Sequence, residues 1–356
     1  MLVTSLAALT AGAVGCQRVL APSEFDVTGL PKGSLTFVSC DDNEAWISID
    51  APLERALATR AGLETAQAGQ RGSLIRVKKT GVVLRLEMDS GLIMAAAIPA
   101  DRSLWIATGI PDGLRVRSTG LRHSVDGGAT WRDAGLPMSV GATAFTSETS
   151  GYAWDDATLF RTDDGGASWR RREVAGYTLA TGRGPRRGVV GTSGELWVPA
   201  KRTGEPEWTS IAIVQPDLSF RIITAWENST VEVVVPLPGA EALVLLSDGA
   251  KTSARGVRVA SQGIERREEI WSPLQSSVKE SSVHGDNIAI LTIEGPMPTN
   301  YFARYQNTLW LSTDKGSTWA HRDVTSLAPG SICISKSGIW AASKEARTVE
   351  FRRLAR

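Results

Sequence analysis

Several residue types that would announce a chemistry are scarce in this chain of 356 residues. Only three cysteines occur, Cys16, Cys40 and Cys333, and only three histidines, His123, His284 and His321. None of them falls at the spacing a metal site uses, so the sequence predicts no metal and no cofactor. An excess of charge of either sign is missing too. Lys+Arg 39 against Asp+Glu 38 leaves a formal charge of +1, which sets up no global field to draw in nucleic acid or a membrane surface. The strings that mark phosphate loops, dinucleotide folds and nucleophile elbows are absent as well.

What the chain does have is repetition. Ser124-Val-Asp-Gly-Gly-Ala-Thr-Trp131, Thr162-Asp-Asp-Gly-Gly-Ala-Ser-Trp169 and Ser312-Thr-Asp-Lys-Gly-Ser-Thr-Trp319 are one octet written three times. Trp131 and Trp169 are 38 residues apart, and Trp319 follows 150 residues later, close to four such periods. A period of about 40 residues with short strands and frequent glycine belongs to four-stranded blades arranged in a ring. Hydrophobic residues make up 42% of the chain, enough for a packed core.

The local patterns agree with that architecture. Residues 35–40 and 44–49 carry β-branched and aromatic residues on either side of an Asp-Asp-Asn turn, and residues 73–77 and 82–86 flank a Thr-Gly turn, completing a first blade. The octets set the phase of the next blades, with strands predicted at 104–108 and 122–125, then at 142–146, 151–154, 158–161 and 169–174. Beyond Trp169 strand-like segments continue, but their grouping into blades is ambiguous. Residues 25–27 are a candidate to complete the last blade. The reading is all-β, a propeller of about seven four-stranded blades over residues 34–356, preceded by a linker or closing strand at 17–33.

Each octet residue has a structural task at a tight turn between the third and fourth strands. Asp126, Asp164 and Asp314 accept backbone N–H groups of their own loops. Gly128, Gly166 and Gly316 adopt angles closed to a side chain. Trp131, Trp169 and Trp319 bury apolar surface that pins each turn to its blade. In these residues the chain resembles the Asp-box or BNR-repeat β-propellers, a superfamily that includes sialidases, family-74-type glycosidases, sortilin-like receptors and photosystem II assembly-factor-like proteins. The last of these is the nearest in type. The resemblance implies that the octets lie on the side away from any active centre, and it sends the search for function to the opposite face.

A sialidase in that superfamily would need a nucleophilic Tyr beside a Glu, an acid/base Asp and three Arg residues. This chain has four tyrosines, and its nearest string to the family's Phe-Arg-Ile-Pro signature, Phe220-Arg-Ile-Ile223, lacks the proline and comes after two octets. Carboxylates near strand ends (Asp101, Asp112, Asp286, Glu294) leave open a glycan-binding or glycoside-hydrolysing alternative. The leading expectation is a non-catalytic propeller that binds a protein partner. Candidate anchors sit in two long second-to-third-strand connections: Arg115 and Arg117 in 110–120, and Tyr301, Phe302, Arg304 and Tyr305 in 294–305. Residues 51–72 form a third such connection if the phase of the first blade is right. Arg170–Arg172 with Arg183, Arg186 and Arg187 make a basic set that reads mainly as edge protection.

Residues 2–15 are nearly all small or apolar and suit an export signal. Ala13-Val-Gly-Cys16 resembles a bacterial lipoprotein cleavage box, which makes Cys16 a lipidation candidate and the protein an expected periplasmic or membrane-anchored one. Cys40 and Cys333, on the innermost strands of the first and last blades, are a candidate disulfide.

Overall fold

A computed structural model of the chain describes residues 20–28, 30, 34–50, 72–87, 92–100, 102–112, 115–136, 140–181, 187–224, 229–237, 239, 241–248, 254–260, 276–294, 306–324, 329–343 and 347–354. Every regular element among them is a strand, and the strands form seven antiparallel sheets. The first strand, β1 (Leu20–Val27), belongs to the last blade. Blade one is β2 (Ser34–Cys40), β3 (Glu44–Asp50), β4 (Gly72–Lys78) and β5 (Gly81–Glu87). Blade two is β6 (Leu92–Ala100), β7 (Ser103–Asp112), β8 (Arg115–Ser124) and β9 (Arg132–Asp133). Blade three is β10 (Ala142–Phe145), β11 (Gly151–Trp154), β12 (Thr158–Thr162) and β13 (Arg170–Glu173).

Blade four shows why its sequence is hard to group. Its innermost strand is broken in two, β14 (Tyr177–Leu179) and β15 (Val189–Val190), and both pieces pair with β16 (Leu196–Arg202). Tyr177 faces Arg202 while Val190 faces Leu196, so the two pieces lie along one strand path beside β16. Pieces of two and three residues carry no period to read. β17 (Ser210–Val214) and β18 (Phe220–Thr224) complete the sheet.

Blade five contributes β19 (Ser229–Leu237), β20 (Glu241–Asp248) and β21 (Ala254–Ala260), three strands among the described residues. Blade six is β22 (Ser276–His284), β23 (Asn287–Glu294), β24 (Gln306–Ser312) and β25 (Ala320–Asp323). Blade seven runs β26 (Pro329–Ile334), β27 (Gly338–Ser343) and β28 (Thr348–Leu354), with β1 as its fourth strand, Val27 opposite Val349. Chain start and chain end thus share one sheet, and β2 of blade one lies against β26 of blade seven.

The core is divided among the seven seams between neighbouring blades. Successive residues of one strand feed different seams: Leu104 and Ile106 pack towards blade one, Trp105 and Ala107 towards blade three. A sheet covered on both faces selects apolar residues on both, which is why strands such as β19 (Ser-Thr-Val-Glu-Val-Val-Val-Pro-Leu) read as runs without alternation. At the seam between blades seven and one, Cys40 and Cys333 form a disulfide with a Cα separation of 6.2 Å. Trp340 Nε1 donates to Asp41 O at 2.7 Å and Phe37 N to Ser331 Oγ at 3.1 Å across the same seam.

Candidate functional site

The three octets occupy the β8–β9, β12–β13 and β24–β25 turns, so they all mark one face of the ring. Their hydrogen bonding repeats. Ser124 Oγ donates to Asp126 Oδ1 at 2.8 Å and accepts Gly128 N at 2.7 Å, while Thr130 donates from its N to Oδ1 at 2.9 Å and from its Oγ1 to Oδ2 at 2.6 Å. Thr162, Asp164, Gly166 and Ser168 repeat that pattern, and so do Ser312, Asp314, Gly316 and Thr318. Two hydroxyls per octet therefore serve the aspartate.

Each tryptophan also reaches beyond its own blade. Trp131, Trp169 and Trp319 pack into the seam with the preceding blade, and Trp319 Nε1 also donates to Gly316 O of its own turn at 3.0 Å. The octet glycine permits that approach. A Cβ on Gly128 would meet Leu86 of blade one at 2.3 Å, and one on Gly166 would meet Trp105 of blade two at 2.7 Å. The octet is a joint between blades.

The same hydrogen bonds set a pH dependence. Thr130 and Ser124 hold Asp126 far below the usual carboxylate range, and Ser168 and Thr162 hold Asp164 at about 2. For Asp314, burial pushes upward and is outweighed by Thr318 and Ser312, so its pKa is also lowered. A carboxylate with a depressed folded-state pKa contributes its full stabilisation above the unfolded value of about 3.9 and loses it as pH falls through the folded value. Denaturant midpoints of the wild type should therefore drop below about pH 4. Asp126→Asn/Asp164→Asn/Asp314→Asn should be less stable at neutral pH and show a shallower acid decline. An equally steep decline in the triple variant would refute this account.

The opposite face receives the second-to-third-strand connections. Residues 110–120, expected as a long loop, are mostly β-structure. Ile110 pairs with Arg117, Pro111 with Val116 and Asp112 with Arg115, leaving only 113–114 between the strands. β6 begins opposite Gly109, and β9 reaches only His123 and Arg122. Beyond Gly109 the hairpin therefore continues as a two-stranded ribbon, anchored at its base where Ser118 Oγ donates to Val140 O at 2.7 Å. Arg115 and Arg117 both fall within it. Tyr301, Phe302, Arg304 and Tyr305 lie outside the described residues, as do Cys16, residues 51–71 and Asp101. The strands that bracket 295–305 and 51–71 end at the paired residues Glu294/Gln306 and Asp50/Gly72, on the ribbon's face.

Two other groupings come apart. Asp286 and Glu294 sit at opposite ends of β23, roughly 25 Å apart at the strand rise. Asp286 O accepts Lys315 N of the third octet at 3.0 Å, so Asp286 lies at the octet end of the blade and Glu294 at the ribbon end. The basic set also divides. Arg170–Arg172 are on the outermost strand β13, with Arg170 and Arg171 paired to Asp163 and Glu173 at the surface. Arg187 lies at the centre of the ring, where its guanidinium donates to Ser281 O of blade six at 3.1 Å and lies 4.0 Å from Glu280. Burial pushes the Glu280 carboxyl up, with Arg187 opposing. Arg183 and Arg186 lie outside the described residues.

No family model matches the chain, and no curated protein does. Solved structures do. YCF48 from Cyanidioschyzon merolae has a TM-score of 0.51 at 12% identity, covering 94% of this chain and 97% of that one. The WD40 β-propeller domain of Doa1 gives 0.54 at 12% identity, with the same two coverages. A protein of unknown function from Dyadobacter fermentans gives 0.51 at 11%, covering 95% and 100%. At these identities the likeness is one of fold, and it extends round the whole ring: the chain is a seven-bladed β-propeller.

Proposed function

We propose that this protein is an exported, non-catalytic propeller of the Asp-box type that binds a protein partner, in an assembly, inhibitory or scaffold role, through the face opposite its octets. The observation that carries the reading is the β7–β8 ribbon. The hairpin extends past the strands that flank it in its own sheet, and rigid scaffolds commonly display binding residues on such extensions. Arg115 and Arg117 on β8 are of a type enriched among interface anchors. The disulfide between Cys40 and Cys333 supports an oxidising compartment, in keeping with residues 1–16 as an export signal and Cys16 as a lipid attachment point.

The test is affinity capture from envelope extract with the whole chain and with a variant in which Ile110 and Arg117 are joined directly through Asn-Gly, a two-residue hairpin turn. Among the described residues the ribbon beyond Gly109 pairs only with itself, so the variant should keep its melting temperature and lose the captured protein. Capture undiminished by the deletion would overturn the assignment of the face. Reproducible binding on a glycan array with no captured protein would favour the carbohydrate reading instead.

A further inference from the structure

The octet face carries a pocket of its own. It has a volume of 330 Å³ and lies between blades two and three, walled by Trp105, His123, Arg132, Ala134, Trp169 and the Gly165–Ser168 turn. That volume is at the lower end of small-molecule sites. The geometry points to a carboxylate-binding pocket in which Arg132 grips the anion and Trp169 packs against the group that bears it.

Arg132 is held in place before any ligand arrives. Its Nη2 donates to His123 Nδ1 at 3.0 Å and to Gly165 O of the next blade at 3.2 Å. Both bonds use the same nitrogen. The remaining donors, on Nε and Nη1, have no acceptor among the described residues, and Arg132 has no carboxylate partner there. With both Nη2 hydrogens used, neither the Nε/Nη2 nor the Nη1/Nη2 edge is fully open, so a carboxylate is held through single charge-assisted bonds from Nε or Nη1 of a guanidinium already fixed in place.

His123 is what fixes it there. Only 3% exposed, it stacks on Trp105 with ring centroids 3.7 Å apart. With Nδ1 accepting from Arg132, the proton resides on Nε2, which donates to Ser103 Oγ at 3.3 Å. Burial, and then the Arg132 charge, lower its pKa from 6.5 to about 4, so at neutral pH it remains an acceptor. The pairing follows from register, because His123 and Arg132 are opposite each other on β8 and β9.

The rest of the pocket matches an acid with a flat or apolar body. Trp169 is fixed by Nε1 donating to Ala134 O at 2.9 Å and meets Trp105 edge-on at 6.0 Å. Trp105 Nε1 is buried with no acceptor among the described residues. Asp133 shares the rim, with its Oδ1 turned to Gly135 N at 2.8 Å, and its charge favours an anion seated at Arg132 and away from that rim. This site is independent of the ribbon and stands whether or not the ribbon binds a protein.

The experiment is titration of the whole chain with benzoate, N-acetylphenylalanine and its amide, read by calorimetry and by the indole N–H signals of Trp105 and Trp169. Both acids should bind saturably and shift those two signals. The amide should bind about tenfold or more weakly, as expected when a charge-assisted hydrogen-bonded pair is lost. Arg132→Gln should weaken the acids to the level of the amide, and Arg132→Lys should recover part of the affinity, with the melting temperature of each variant confirming the fold. A peptide with a free C-terminal phenylalanine that binds more tightly than the acetylated amino acid would identify the source as a polypeptide terminus; equal affinity would identify a free organic acid. Equal binding of acid and amide, unchanged binding in Arg132→Gln, or no saturation at about 10 mM acid would overturn the proposal.

Discussion

Replacing Cys40 and Cys333 by alanine should lower the unfolding free energy by about 2–4 kcal/mol, and either single replacement should cost nearly as much as both. The bond joins residues 293 apart in sequence, so in the unfolded chain it closes a loop spanning most of the protein. Constraining so long a loop removes more unfolded-state entropy than a short one would. In the folded ring it fastens the one seam at which the two ends of the chain meet. The pairing of β1 with β28 closes blade seven itself, while the disulfide, Trp340 to Asp41 and Phe37 to Ser331 tie that blade to blade one. Denaturant titration with and without reductant checks this directly. The wild type should shift on reduction and the double variant should not. A wild type indifferent to reductant would show that the hydrogen bonds and apolar packing of the seam are sufficient without the covalent link.

The second large effect is expected at the joint between blades two and three. Gly165 and Gly166 both have positive φ, at 69° and 83°, so alanine at either position carries a backbone cost of about 1–2 kcal/mol. Their surroundings differ. A Cβ on Gly165 has nothing closer than a backbone oxygen at 3.6 Å, whereas one on Gly166 would lie 2.7 Å from the Trp105 ring. Trp105 is fully buried and held on its ring faces by His123 and Phe145 at 3.7 and 4.1 Å, which limits how far it can yield. Overpacking there adds about 1–3 kcal/mol. Gly166→Ala should therefore destabilise clearly more than Gly165→Ala, as read from denaturant midpoints, and the difference measures the packing part of the joint alone. Equal losses would mean that the turn and not the seam sets the requirement for glycine.

Much of the fold was legible because the octets recur with a fixed spacing, and a repeated turn implies a repeated sheet. The second octet's blade illustrates this, with strands expected at 142–146, 151–154 and 158–161 and found at Ala142–Phe145, Gly151–Trp154 and Thr158–Thr162. The ribbon was not legible. Pro111, Gly113 and the scattered arginines of 110–120 are loop chemistry in isolation, and only pairing across two residues makes them a hairpin. The broken inner strand of blade four escaped for a related reason, because two- and three-residue pieces show no periodicity. The Arg132 site was hidden further, since neither its histidine nor its arginine belongs to an octet, and nothing in the spacing of 123 and 132 marks a site.

By itself the sequence determined the all-β class, the blade period and the chemistry of the octet turn, because these rest on contacts among residues close together in the chain. The tertiary structure decided what the turn is for. Trp131, Trp169 and Trp319 reach into the preceding blade, and Cys40 finds Cys333, because closing a ring brings together residues that no local pattern relates. The octet face then proves to hold a pocket, between two blades whose meeting is a property of the ring and of no single repeat.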